Sequence, residues 1–305
     1  MRRPGLTLVT IAILGFVAQA AVAVQLAQAA TPPREAMLAS VEWLAEHVAD
    51  PGLVLLHVGD KAEYETAHLP GAQYVAARDL AAPPSPGALG LELPQPDAIR
   101  ATLEKLGISD SSRIVVYFGK DWVTPATRVY FTLDYFGLGD RSSLLDGGMP
   151  AWQAQGKPTT AELRVPVRGR LTNLRPNPDL VASAEWLQGR LRQAGVAVVD
   201  ARLPRFFEGE ESGGMPRAGR IPGAKNIPFS TLVTEPDNKL KDRAALEEIL
   251  KAAGATESDT VVSYCHIGQQ ATLVYFAARY TGRAAKLYDG SWQEWSRREE
   301  LPIEP

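Results

Sequence analysis

The 305-residue chain has one cysteine, Cys265, and its surroundings suit a nucleophile. It follows a short apolar run, Thr260–Tyr264, and heads the segment Cys265-His266-Ile267-Gly268-Gln269-Gln270-Ala271, which leads into an apolar helical stretch, Val274–Tyr280. A loop that curls around a cysteine aims successive backbone N–H groups at the sulfur, and the helix behind it adds the positive end of its dipole. Both favour thiolate over thiol, and the thiolate is the reactive form. Gly268 has no Cβ and can take the tight conformation such a cradle needs. A lone cysteine is more often buried and inert. This one, however, falls at the carboxyl end of a strand and ahead of a helix, where open parallel sheets place their ligands.

Other chemistries fit less well. One cysteine cannot form an internal disulfide. His47, His57, His68 and His266 are scattered, without the spacing of a zinc site. Cysteine phosphatases grip their oxyanion with an arginine six residues after the cysteine; here that position is Ala271, and neither Gln269 nor Gln270 carries charge. The neighbouring groups each have two readings. His266 either helps bind an anion or is an exposed loop residue. Gln269 and Gln270 either donate to substrate or cap the helix. Arg202 either pairs with a carboxylate around the loop or binds an anionic donor. Arg205 is either a donor-binding cation or solvated surface. Trp292 and Trp295 fit core or cleft wall, and Trp43, Trp152 and Trp186 fit core.

The elements that must position Cys265 are written twice. Ser40-Val41-Glu42-Trp43-Leu44 returns as Ser183-Ala184-Glu185-Trp186-Leu187, each a serine-capped helix start. Gly52 with Leu53–Leu56 matches Gly195 with Val196–Val199, and Leu69-Pro70-Gly71-Ala72 matches Ile221-Pro222-Gly223-Ala224. Helical stretches near Ala98–Leu106 and Ala244–Ala253 precede buried strands at Ile114–Phe118 and Thr260–Tyr264. Apolar helices follow at Val129–Phe136 and Val274–Tyr280, and each half closes on an Asp-Gly turn and a tryptophan: Asp146-Gly147 with Trp152, Asp289-Gly290 with Trp295. Strands alternating with helices predict an α/β fold: two domains, each a central, mainly parallel sheet with helices on both faces. The expected organisation is a first domain over 30–157, a linker over 158–180 and a second domain over 181–305. Setting Val115–Gly119 over Val261–Cys265 puts Gly119 at the cysteine's position.

The segment from Cys265 to Ala271 resembles the active-site loop of rhodaneses, with its pattern Cys-x-x-Gly-x-x-Ala. The resemblance extends through Asp200-Ala201-Arg202, Ile221-Pro222-Gly223-Ala224 and Asp289-Gly290-Ser291-Trp292 to both halves. It implies a tandem-domain sulfurtransferase of the thiosulfate or 3-mercaptopyruvate type, with a silent first domain and an active second one. Cys265 would then carry a persulfide, with the loop from His266 to Ala271 (Ile267 included) and Arg202 and Arg205 as candidate binding groups. The implied partners are a small anionic sulfur donor and a thiol or cyanide acceptor, with no cofactor or metal. A non-catalytic persulfide- or oxyanion-binding module is the alternative. Two departures from the pattern stand out: Arg220 where histidine is usual, and Phe206 where a charge is common.

The amino terminus reads as an export signal. Arg2 and Arg3 precede an apolar run from Leu6 to Ala18, and Ala27-Gln28-Ala29 offers small residues for cleavage after Ala29. An uncleaved anchor is the other reading; cleavage would leave no stable membrane insertion and a periplasmic protein. The formal charge is −3, and removing two arginines makes it −5, which does not suit nucleic acid.

Overall fold

The computed structural model describes residues 35–120, 123–257 and 259–305, so the expected signal segment over 1–29 lies outside the described residues. The first half runs β1 (Leu38–Ala39), α1 (Val41–His47), β2 (Leu53–Val58), α2 (Lys61–Thr66), β3 (Gln73–Tyr74), α3 (Pro96–Lys105), β4 (Arg113–Phe118), α4 (Thr124–Tyr135), β5 (Ser142–Leu145) and α5 (Gly148–Ala154). The second runs α6 (Ala184–Gln188), β6 (Val196–Asp200), α7 (Pro204–Phe207), β7 (Lys225–Asn226), α8 (Arg243–Ala252), β8 (Thr260–Tyr264), α9 (Ala271–Tyr280), β9 (Ala284–Leu287) and α10 (Ser291–Trp295). The sheets are parallel throughout, in the orders β1-β5-β4-β2-β3 and β7-β6-β8-β9. Ser40 and Ser183 cap α1 and α6 in the same way, each hydroxyl accepting from the amide three residues on at 3.1 Å.

The central strands are apolar on both faces because helices cover both. Along β4, Ile114, Val116 and Phe118 enter one core while Val115 and Tyr117 enter another. Along β8, Val261 and then Cys265 just beyond the strand lie on the first kind of face, and Val262 and Tyr264 on the second.

That alternation corrects the expected match between the halves. His57 pairs with Tyr117 in one sheet, and Asp200 pairs with Tyr264 in the other. The Tyr117 hydroxyl accepts from the Leu69 amide, and the Tyr264 hydroxyl from the equivalent Ile221 amide, both at 3.1 Å. Tyr117 is therefore the counterpart of Tyr264, Phe118 of Cys265, and Gly119 of His266. The residue that replaces the cysteine is phenylalanine, and the stretch from it to Ala126 is two residues longer than that from Cys265 to Ala271.

The halves share a core. Helix α4 packs on α9, with Thr127 and Thr272 hydroxyls 2.8 Å apart and the Tyr130–Phe276 and Phe131–Tyr275 rings edge to face. Asp134 accepts from the Tyr275 hydroxyl at 2.8 Å and pairs with Arg279. One apolar cluster runs without a break from Leu56 and Val116 to Val261 and Cys265. The stretch between the halves is also packed: Leu171 is buried, and Asp110 accepts from the Thr172 and Asn173 amides.

Candidate active site

Cys265 ends β8, and the loop after it is shaped by where its carbonyls go. Trp292 and Gln293 at the start of α10 donate their amides to the carbonyls of Cys265 and His266, each at 2.9 Å. Arg128 donates to the Gly268 carbonyl at 3.0 Å. The Gln269 carbonyl accepts from the amide and hydroxyl of Thr272, and that of Gln270 from the Leu273 amide. In a trans peptide the N–H points opposite to the C=O of the same unit. Carbonyls drawn outward therefore leave the amides of His266, Ile267, Gln269, Gln270 and Ala271 turned to the inside. Among the described residues these amides have no protein acceptor. Such a nest of N–H groups holds a negative charge.

Two positions make the loop possible. Gly268 has φ +77°, and a Cβ there would sit 2.8 Å from the Asp289 carbonyl oxygen. Ser291, with φ +51°, accepts from the Cys265 amide at 3.3 Å and donates to the Tyr288 carbonyl at 2.9 Å. Its counterpart, Gly148, needs the missing side chain, because a Cβ there would come within 2.9 Å of the Phe118 ring.

Sequence reasoning missed Arg128. It comes from α4 of the first half and is buried, yet it reaches the second half's loop. Besides Gly268 it binds the Asp289 carboxylate at 2.5 Å and the Leu91 carbonyl. The segment around Leu91 is strapped to the second half as well. Gly90 exchanges two hydrogen bonds with the Gln293 side chain, and the Leu93 amide donates to Asp289 at 3.2 Å. The only sequence signal for Arg128 is that it is one of two charges, with Asp134, in its helix.

The other candidates separate. Ile267 and Gln269 reach an interdomain cleft of about 810 Å³, facing Arg78, Leu91 and Pro125 of the first half. Cys265 is wholly buried beneath that loop. His266 turns away from the cleft, its ring edge to face with Phe206 at 4.6 Å; burial, and next the charge of Arg202, hold its pKa below the usual histidine value. Gln270 makes no side-chain cap to α9. Arg202 is fully buried and forms a forked pair with Asp200, with nitrogen–oxygen distances of 2.6–3.0 Å, and stacks on Trp292. It is a structural brace behind the loop. Arg205 lies at the surface, paired with Glu211 at 3.2 Å and resting on the Phe206 ring. Arg220 holds the carboxyl-terminal segment through Glu304 and Pro305. Trp292 and Trp295 are core.

Two parallel-sheet domains joined through α4 and α9, one offering a cysteine in an amide cradle, define a class of α/β group-transfer proteins. The rhodanese-like domain family model matches residues 40–155 and 183–298, and the chain belongs to that family. It is a two-domain sulfurtransferase. It is 32% identical to a thiosulfate sulfurtransferase of Azotobacter vinelandii, over 86% of this chain and 94% of that one. It is 30% identical to a 3-mercaptopyruvate sulfurtransferase of Escherichia coli K12, over 87% and 96%. The crystal structure of the 3-mercaptopyruvate sulfurtransferase SseA from Escherichia coli superposes with a TM-score of 0.74 at 27% identity, covering 84% of this chain and 98% of that one.

Proposed function

We propose that the protein moves the outer sulfur of thiosulfate to a thiol or cyanide through a persulfide on Cys265, and that the first domain has no chemistry of its own. The inward-facing amides of the loop carry this reading. The Cys265 thiolate attacks the outer sulfur of the donor. The donor's S–S bond breaks, sulfite leaves with the electron pair, and the new terminal sulfur on Cys265 bears the negative charge. The loop N–H groups stabilise that charge in a water-poor site. The acceptor then attacks the terminal sulfur and returns Cys265 to thiolate, a two-step exchange. Among the described residues Arg78 is the one cation lining the cleft, beside the carboxylates of Asp60 and Asp79, so the loop amides rather than the charge of the cleft support an anionic donor. The similarity to a 3-mercaptopyruvate enzyme at nearly the same identity favours that keto acid as the second reading.

Intact mass of the reduced protein, after brief exposure to each donor, tests both. A gain of one sulfur atom with thiosulfate alone fits the proposal, and a gain with 3-mercaptopyruvate alone replaces the donor. Cys265→Ser must show neither gain nor turnover; turnover by that variant would sink the scheme. We also propose export to the periplasm, supported by the Arg2-Arg3, apolar and Ala27-Gln28-Ala29 pattern. Amino-terminal sequencing of the native protein should begin at Ala30.

A further inference from the structure

The first half holds a second cavity, of about 610 Å³, at the carboxyl ends of β2 and β4. Of its lining residues only Asp60 also borders the interdomain cleft. Comparison of the halves shows how it arises. Arg202, Trp292 and His266 fill the corresponding region of the second half, and their counterparts are Gly59, Met149 and Gly119. Three large side chains are lost together.

What remains is polar and incompletely satisfied. His57 stands where the second half has Asp200, whose carboxylate is met by the Arg202 guanidinium. The His57 side chain is 1% exposed, and among the described residues neither ring nitrogen has a hydrogen-bond partner. Buried polar groups in folded proteins rarely go unpaired without a role. Its Nε2 and the Glu63 Oε2 each lie 3.2 Å from the point where a Cβ on Gly119 would sit, so an imidazole and a carboxylate converge on one spot. Asp60 adds a second carboxylate, and Lys120, bonded to Glu63, is the one cation among the described residues of the lining. Burial lowers the His57 pKa to about 4, so the ring is neutral at neutral pH and one nitrogen offers a lone pair.

We propose that this cavity binds a small organic cation of the guanidinium or amidinium class, whose N–H groups meet His57 Nε2 and the Glu63 carboxylate. Such a ligand takes the place that the Arg202 side chain fills in the second half. Its planar fork of donors suits two acceptors that converge.

The test is a titration of the full chain with methylguanidinium at neutral pH, reading the His57 ring signals by NMR of labelled histidine. His57→Gln identifies those signals. The expected result is a saturable shift with a Kd on the order of 1 mM or tighter. Glu63→Gln should weaken binding about tenfold or more, with sulfur transfer unchanged. Gly119→Val, which keeps both acceptors but sets its side chain against them at the point of convergence, should block the site. Acetate should leave the His57 signals in place. Absence of a saturable shift, equal binding by Glu63→Gln, or acetate binding in place of the cation would each overturn the proposal.

Discussion

Gly268 meets two demands at one position: a left-handed backbone, and a close approach to Asp289 and Arg128 that leaves no room for a Cβ. Gly268→Ala should therefore distort the cradle. A displacement of that kind can cost up to about a hundredfold in rate; kcat should fall while the cleft, and hence KM for the donor, changes little. Steady-state kinetics checks this, and an unchanged kcat would show that the loop tolerates the side chain. His57 supports a prediction about stability. Burial, followed by the neighbouring His68, lowers its pKa to about 4 from 6.5. The unfolded chain thus takes up a proton near pH 6.5 that the folded chain resists until about pH 4. Stability is whole above pH 6.5 and falls as pH drops toward 4, by as much as roughly 3 kcal/mol. Urea unfolding across that range should show the loss in the wild type and a flatter profile in His57→Gln; parallel profiles would contradict the assignment.

At the scale of elements, α4 does more than cover a sheet. Its Arg128 ties the cysteine loop, the turn at Asp289 and the segment at Leu91 together. Arg128→Ala leaves Asp289 without its cation and should cost about 3–5 kcal/mol. Arg128→Lys keeps the charge but not the fork, so it should retain more stability than activity; equal retention of both would reduce Arg128 to a packing residue. Much of this scale was legible in the sequence. The serine caps, the apolar runs and the Asp-Gly turns repeat because each half needs the same parts, and Cys265 and Gly268 stood out by type and spacing. Three things were not legible. Arg128 acts across a long sequence separation, and nothing local marks its partner. Ser291 hides a glycine-like conformation behind an ordinary side chain. The match of Gly119 to Cys265 failed because aligning Val115-Val116 with Val261-Val262 by identity slips the strand by one, and a slip of one residue exchanges its faces. The strand pairing and the matching tyrosine hydroxyl bonds settle that register.

The molecule as a whole is held by one core shared between its two sheets, from Leu56 to Cys265. Interfaces between domains are usually smaller and more polar, and such domains unfold apart. Here a single cooperative transition is expected, with calorimetric and van't Hoff enthalpies in agreement. Two resolved transitions would show that the halves are energetically separate. The reach of Arg128 has a consequence for descent as well. Thr127 and Thr272 are counterparts that touch, so the counterpart of Arg128 is Leu273, which is buried and apolar. A symmetric pair of second halves would offer leucine where the cysteine loop needs a guanidinium. Once that arginine was in use, the duplicated copies ceased to be interchangeable, and the copy without a cysteine could no longer be discarded.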